Sequence, residues 1–105
     1  MRIACKVDDA GLNSRGWKVF DCFGGKTCLV IKEGEAYRGF VNTCPHMQGE
    51  VRPWDKTTGE RVLQCKTHGA EFDYATGARL SGPPPEGSSL RALQFFVEQD
   101  VIYYK

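Results

Sequence analysis

The sequence predicts an all-β protein. Three observations carry this. Its apolar residues come in short segments, these are separated by turn residues, and no stretch has a convincing helical period. Two segments stand apart from the pattern, Cys44 to Glu60 and the proline-rich SGPPPEGSS of residues 81 to 89.

Taken in order, Trp17, Val19 and Phe20 form a first strand that ends before Gly24 and Gly25. Cys28, Leu29, Val30 and Ile31 make an apolar run that reads as a second strand. Glu33-Gly34-Glu35 turns the chain into a hairpin partner from Tyr37 to Val41. Further strands are expected at Arg61 to Gln64, at Glu71 to Tyr74 and around Ala78 to Leu80, the last two joined across Ala75-Thr76-Gly77. Gln94 to Glu98 and Val101 to Tyr104 close the series, split by Gln99-Asp100; Phe95, Phe96, Tyr103 and Tyr104 read as sheet packing. Pro83, Pro84 and Pro85 cannot donate ladder hydrogen bonds, which makes their segment a stiff extended loop rather than a strand.

A chain of 105 residues supports one small domain with a single core. The 14 Lys plus Arg against 13 Asp plus Glu give no broad basic field, which argues against nucleic-acid or membrane-surface binding. Lys6, Asp8 and Asp9 interrupt the N-terminal stretch where a signal peptide needs apolar residues, and no run is long enough to span a bilayer. The expected location is cytoplasmic. Cys5, Cys22, Cys28, Cys44 and Cys65 form an odd set without the rhythm of a disulfide framework, and Cys5, Cys22 and Cys28 read as buried thiols.

The remaining cysteines each have a nearby histidine. Cys44-Pro45-His46 has one intervening residue and Cys65-Lys66-Thr67-His68 has two. Two thiolates and two imidazoles suit zinc or an iron–sulfur cluster. Zinc-finger pairs usually bring like ligands from each turn, whereas here each half is mixed. Two such loops facing each other could offer both sulfurs to one iron and both nitrogens to a second, the ligand arrangement of a Rieske [2Fe–2S] centre.

C-P-H, eighteen intervening residues, C-K-T-H-G, then Phe72-Asp73 and Thr76-Gly77, resembles the Rieske signature C-x-H followed by C-x-x-H-G. The resemblance covers about residues 43 to 84. It implies a Rieske-like antiparallel β-sandwich spanning 1–105 as a single domain, with a small cluster-binding subdomain at about 43–82 inserted into a β basal domain, and one [2Fe–2S] cluster per chain. Cys44 and Cys65 would then bind the buried iron and His46 and His68 the outer, reducible one. Neutral imidazole donates less charge than thiolate, which raises the potential above that of an all-cysteine cluster. Gly69 would let the backbone turn tightly beside the cluster, and residues 81 to 85 match the place of the family's covering loop. Met47 and Trp54 are candidates for an apolar docking rim.

Departures from parts of the family narrow the reading. Respiratory-complex members resemble this chain in the ligands but carry a membrane anchor and a second cysteine pair; Gly49 and Thr67 stand at those positions. Oxygenase catalytic subunits continue into a large iron domain for which this chain has no residues. High-potential members place a serine and a tyrosine where Ala70 and Phe72 stand. The resemblance therefore implies a monomeric Rieske-type ferredoxin, a non-enzymatic electron carrier. Its expected partners are a flavin-dependent reductase as donor and an oxygenase as acceptor. Many such ferredoxins are clearly acidic, whereas this chain has a formal charge of +1. The small subunit of a nitrite reductase or other redox complex, and a zinc-stabilised or cluster-sensing interaction module, are the alternative readings.

Overall fold

The computed structural model describes residues 2–22, 26–42, 51–65, 69–82 and 87–105. Among them the strands are β1 (Arg2–Lys6), β2 (Trp17–Asp21), β3 (Thr27–Glu33), β4 (Ala36–Val41), β5 (Val51–Asp55), β6 (Arg61–Cys65), β7 (Glu71–Asp73), β8 (Arg79–Ser81), β9 (Ala92–Leu93), β10 (Phe95–Glu98) and β11 (Val101–Tyr104). One short helix, α1 (Ala10–Arg15), follows β1. Every strand pairing is antiparallel. The fold is thus all-β, and it divides into two compact units: residues 1–41 with 92–105, and residues 42–91.

In the first unit, two sheets share a core. One has the strand order β2-β3-β4-β9 and the other β1-β11-β10. Cys28 to Ile31 are buried on both faces of β3, which gives their unbroken apolar run its physical reason. Phe20 meets Tyr104 at a ring-centroid distance of 5.0 Å and the edge of Phe95 at 6.4 Å, with Leu12, Val30, Val41 and Ile102 around them. Phe96 lies on the opposite face, 38% exposed, with the Lys105 ammonium 5.4 Å from its ring centre. At Gly39 any side chain would strike the Leu29 carbonyl and the Phe95 ring, so glycine there is what lets that ring lie against β4. Gln99 and Asp100 both adopt positive φ, the two-residue turn that matches strand twist in the β10–β11 hairpin.

The second unit is built on a four-stranded sheet in the order β5-β6-β7-β8. Val51, Val62, Leu63, Cys65, Ala70 and Phe72 are fully buried in it. Removing a side chain the size of Phe72 from such a site costs about 3 to 5 kcal/mol. Asp73 sets the turn after β7: its carboxylate accepts from Ala75 N–H at 2.8 Å and Thr76 N–H at 2.9 Å, and Gly77, at φ 77°, donates back to the Asp73 carbonyl. This gives the expected Ala75-Thr76-Gly77 turn a physical cause, since an aspartate carboxylate imitates a turn carbonyl.

Several expectations need correction. The segment 44–60, set apart from the strand pattern, contains a strand, β5; it accommodates Pro53 because it is an edge strand of its sheet. The helix α1 has too few residues for an apolar period, and its evidence lies in its ends. The Asp9 side chain accepts from Leu12 N–H at 3.0 Å and Gly16 closes it in the left-handed conformation. Strands β1 and β9 were not expected either, and Tyr74 lies in the turn rather than in β7. Cys22 and Cys28 are joined by a disulfide rather than being separate thiols. Cys5 is a buried thiol, as expected, and burial pushes its pKa up. No helix among the described residues is long and apolar enough to cross a membrane.

Candidate functional site

Of the four expected ligands, Cys65 is among the described residues and is completely buried at the end of β6. Cys44, His46 and His68 lie outside the described residues, as do Met47, Gly49, Thr67 and Pro83 to Pro85.

Hydrogen bonding closes the chain around Cys65 on itself. The Cys65 N–H donates to the Ala70 carbonyl at 2.8 Å, and Gly69 N–H donates to the Cys65 carbonyl at 2.9 Å. Gly69 has φ 71°, the left-handed conformation that glycine adopts without a Cβ penalty, as its place after the second Cys-His pair predicts. The second pair is thus carried on a short return whose described ends meet.

The described residues on either side of 43–50, the segment of the first pair, are tied to each other. Asn42, 6% exposed, accepts the Val51 N–H on its side-chain oxygen at 2.6 Å. Val51 in turn lies opposite Cys65 in the β5–β6 ladder. Asn42 was not singled out from sequence, because an asparagine at a strand end is ordinary and its partner lies nine residues away.

The third segment is the proline-rich one. Strand β8 leads into it at Gly82, whose φ is 107°. Gly82 approaches so closely that a Cβ there would lie 2.5 Å from Ala70 Cα and 2.9 Å from Ala70 Cβ. Its far end returns to the same strand: Arg79 N–H donates to the Ser88 carbonyl at 2.8 Å, and Ser89 bridges Ala78. The segment therefore begins directly against the Cys65–Ala70 return.

In the same sheet and return as Cys65, Leu63, Ala70 and Phe72 are all fully buried. Neither Ala70 nor Phe72 carries a hydroxyl. Charged groups lie at the rim. Lys56 pairs with Glu71 at 3.2 Å, and Arg61 clasps Asp55 at 2.6 Å while its guanidinium stands 5.6 Å from the centre of the Tyr74 ring. The Asp55 carboxyl is held below its ordinary range by Arg61. Trp54, on the edge strand β5, is 55% exposed. A buried cysteine sulfur beside apolar side chains of the same sheet suits a soft metal or an iron–sulfur cluster shielded from water.

The comparisons with known proteins agree in kind. Residues 3–96 match the model of the Rieske [2Fe-2S] domain. No curated protein matches the chain significantly. Among solved structures, the chain is similar to the ferredoxin of carbazole 1,9a-dioxygenase from Nocardioides aromaticivorans, at 22% identity and a TM-score of 0.66, covering 99% of this chain and 94% of that one. It is also similar to a chain in a complex of reduced oxygenase and oxidized ferredoxin in carbazole 1,9a-dioxygenase, at 21% identity and a TM-score of 0.69, covering 98% and 99%. These likenesses concern the fold. A family match running from β1 into β10 and enclosing the whole Cys65 return settles the wider question: the chain belongs to the Rieske [2Fe-2S] domain family.

Proposed function

We propose that this protein is a one-electron carrier, with Cys44, His46, Cys65 and His68 as the ligands of one [2Fe–2S] cluster. The observation that carries the reading is Cys65, itself fully buried and held by backbone hydrogen bonds to Gly69 and Ala70, inside the region that matches the family. Its residues fit the group, since Cys65 supplies a sulfur shielded from water and Gly69 the tight turn. When bound, the cluster takes up and gives up one electron without changing its ligands. The protein's part is to hold the four side chains rigid, keep water off the sulfur side and offer a surface to redox partners.

In this reading residues 1–105 form a single Rieske domain, with the cluster-binding part at about 43–82 within a β basal part. The acceptor is an oxygenase, a reading supported by the structural relative that occurs in a complex of reduced oxygenase and oxidized ferredoxin. The donor is a flavin-dependent reductase. Trp54 and Met47 lie on the docking rim, the carrier works as a monomer in the cytoplasm, and it transforms no substrate itself. The near-balance of charge leaves partner choice to local patches rather than to the overall field.

Purified protein should contain iron and acid-labile sulfide in a ratio near one, and reduction should yield the EPR spectrum of a mixed-ligand binuclear cluster. Cys65→Ser should abolish both. Zinc without sulfide would overturn the proposal in favour of a structural metal module.

A further inference from the structure

We propose that Arg79 is a positioning residue for the Cys65 return, acting through Gly82 and Ala70. This rests on the reading of Cys65 as a cluster ligand.

Arg79 makes two hydrogen bonds to the two ends of the same segment. Its guanidinium Nη2 donates to the Gly82 carbonyl at 2.8 Å, and its backbone N–H donates to the Ser88 carbonyl at 2.8 Å. One residue of β8 thereby fixes both the point where the chain leaves the strand and the point where it returns. Gly82, so held, lies in van der Waals contact with Ala70, closer than any side-chain-bearing residue could come. Ala70 in turn accepts the Cys65 N–H. The line from guanidinium to Cys65 backbone is continuous, two hydrogen bonds with one close-packed contact between them.

A second observation separates this from ordinary surface decoration. The Nε of Arg79 is buried and makes no hydrogen bond. A buried unsatisfied donor is unfavourable, and a shorter or apolar side chain would avoid it. Arginine is nevertheless what reaches the Gly82 carbonyl from β8. The Phe72–Arg79 pairing places its backbone beside the buried core of the same sheet, so the stem has a fixed base from which to act.

The test uses cluster-loaded protein and two variants. Arg79→Met keeps the apolar stem but removes every side-chain donor; Arg79→Lys keeps the charge and one possible donor to Gly82. Amide hydrogen exchange is read at Cys65 and Gly69, with Leu63 and Val30 as internal references, alongside the rate at which a strong iron chelator bleaches the protein and the reduction potential. In Arg79→Met the Cys65 and Gly69 amides should exchange about tenfold faster, the loss of roughly one hydrogen bond, with the references unchanged. Bleaching should accelerate and the potential should shift. Arg79→Lys should fall between Met and wild type in all three, and decides the matter if Arg79→Met does not fold. Wild-type exchange at Cys65 and Gly69 in the folded variants would overturn the proposal, as would equal acceleration at Leu63, which would mark Arg79 as a general stabiliser. Absence of iron and sulfide from wild-type protein would instead refute the cluster, and the exchange rates would still decide the role of Arg79.

Discussion

Cys22 and Cys28 are joined at the end of the β2–β3 hairpin where the first strand leads into the second, with Cα atoms 5.9 Å apart and five residues between them in sequence. That separation lies within the usual range for a disulfide. Phe20 pairs with Cys28 and Asp21 with Thr27, and the Cys22 N–H donates to the Lys26 carbonyl at 2.9 Å, so the bond reinforces a stretch that is already hydrogen-bonded.

This relationship predicts that unreduced, denatured protein will protect two of its five cysteines from alkylation. Closing so short a loop stabilises by about 2 kcal/mol in the chain-entropy picture, and a small thiol reductant should lower the unfolding midpoint accordingly. Because such bonds are uncommon in reducing compartments, the measurement also bears on the proposed cytoplasmic location. Alkylation of all five residues without prior reduction would remove the cross-link from the account.

Asp9 yields a prediction in pH. Its carboxylate pairs with Lys18 and accepts the Leu12 N–H at the start of α1, and these partners hold its pKa below the ordinary carboxylate value, Lys18 foremost. A lowered folded-state pKa contributes stability that is present above the unfolded value, about 3.9, and is lost as pH falls through the folded one. Asp9→Ala should therefore cost about 1 kcal/mol at neutral pH, the ordinary worth of a helix cap. Its difference from wild type should shrink in acid, below the folded pKa. Denaturant titrations at pH 7 and near pH 2 measure both ends.

How far the sequence speaks for itself depends on the range of the interaction. Strand β3 is legible because its apolar run is continuous and Glu33-Gly34-Glu35 marks its end. Strand β5 is not, because Pro53 is tolerated only through its edge position, which depends on how four strands assemble. Helix α1 is announced by Asp9 and Gly16 alone, signals too short to outweigh the surrounding β pattern. The same division holds at the site. The Cys-His spacing and Gly69 are visible as a motif, whereas Asn42, Arg79 and Gly82 matter through contacts that no local pattern encodes.

Asn42 carries a prediction of that long-range kind. Its side-chain oxygen ties residue 42 to Val51, the two described ends of the segment holding Cys44 and His46. Asn42→Ala would leave the Val51 N–H without this partner in a buried place, at a cost of about 1 to 3 kcal/mol. Chelator-driven iron loss should speed up in the same variant, because the first Cys-His pair loses the clasp at its base. A variant with wild-type midpoint and wild-type iron retention would show that the clasp is dispensable.

Reduction potential gives the last prediction, and it turns on two buried side chains that lack a hydroxyl. High-potential members of the family carry serine and tyrosine donors to cluster or ligand sulfur where this chain has Ala70 and Phe72, both fully buried. Reduction adds negative charge, so an O–H donor stabilises the reduced form more than the oxidised one. Lacking both, this protein should have a potential near the low end of the Rieske range, about −150 mV. Restoring a donor worth a differential of about 1 to 2 kcal/mol should raise it by roughly 40 to 85 mV. Phe72→Tyr keeps the ring and adds only the hydroxyl, and should give the cleaner rise. Ala70→Ser must place its oxygen beside Gly82, which leaves little room on that side, so its hydroxyl is confined in orientation and its stability cost should be the larger of the two. Voltammetry on both variants and on the pair, with cluster content matched to wild type, measures the shifts. A wild-type potential above zero, or two cluster-loaded variants at the wild-type value, would show that something other than these hydroxyls sets the redox poise.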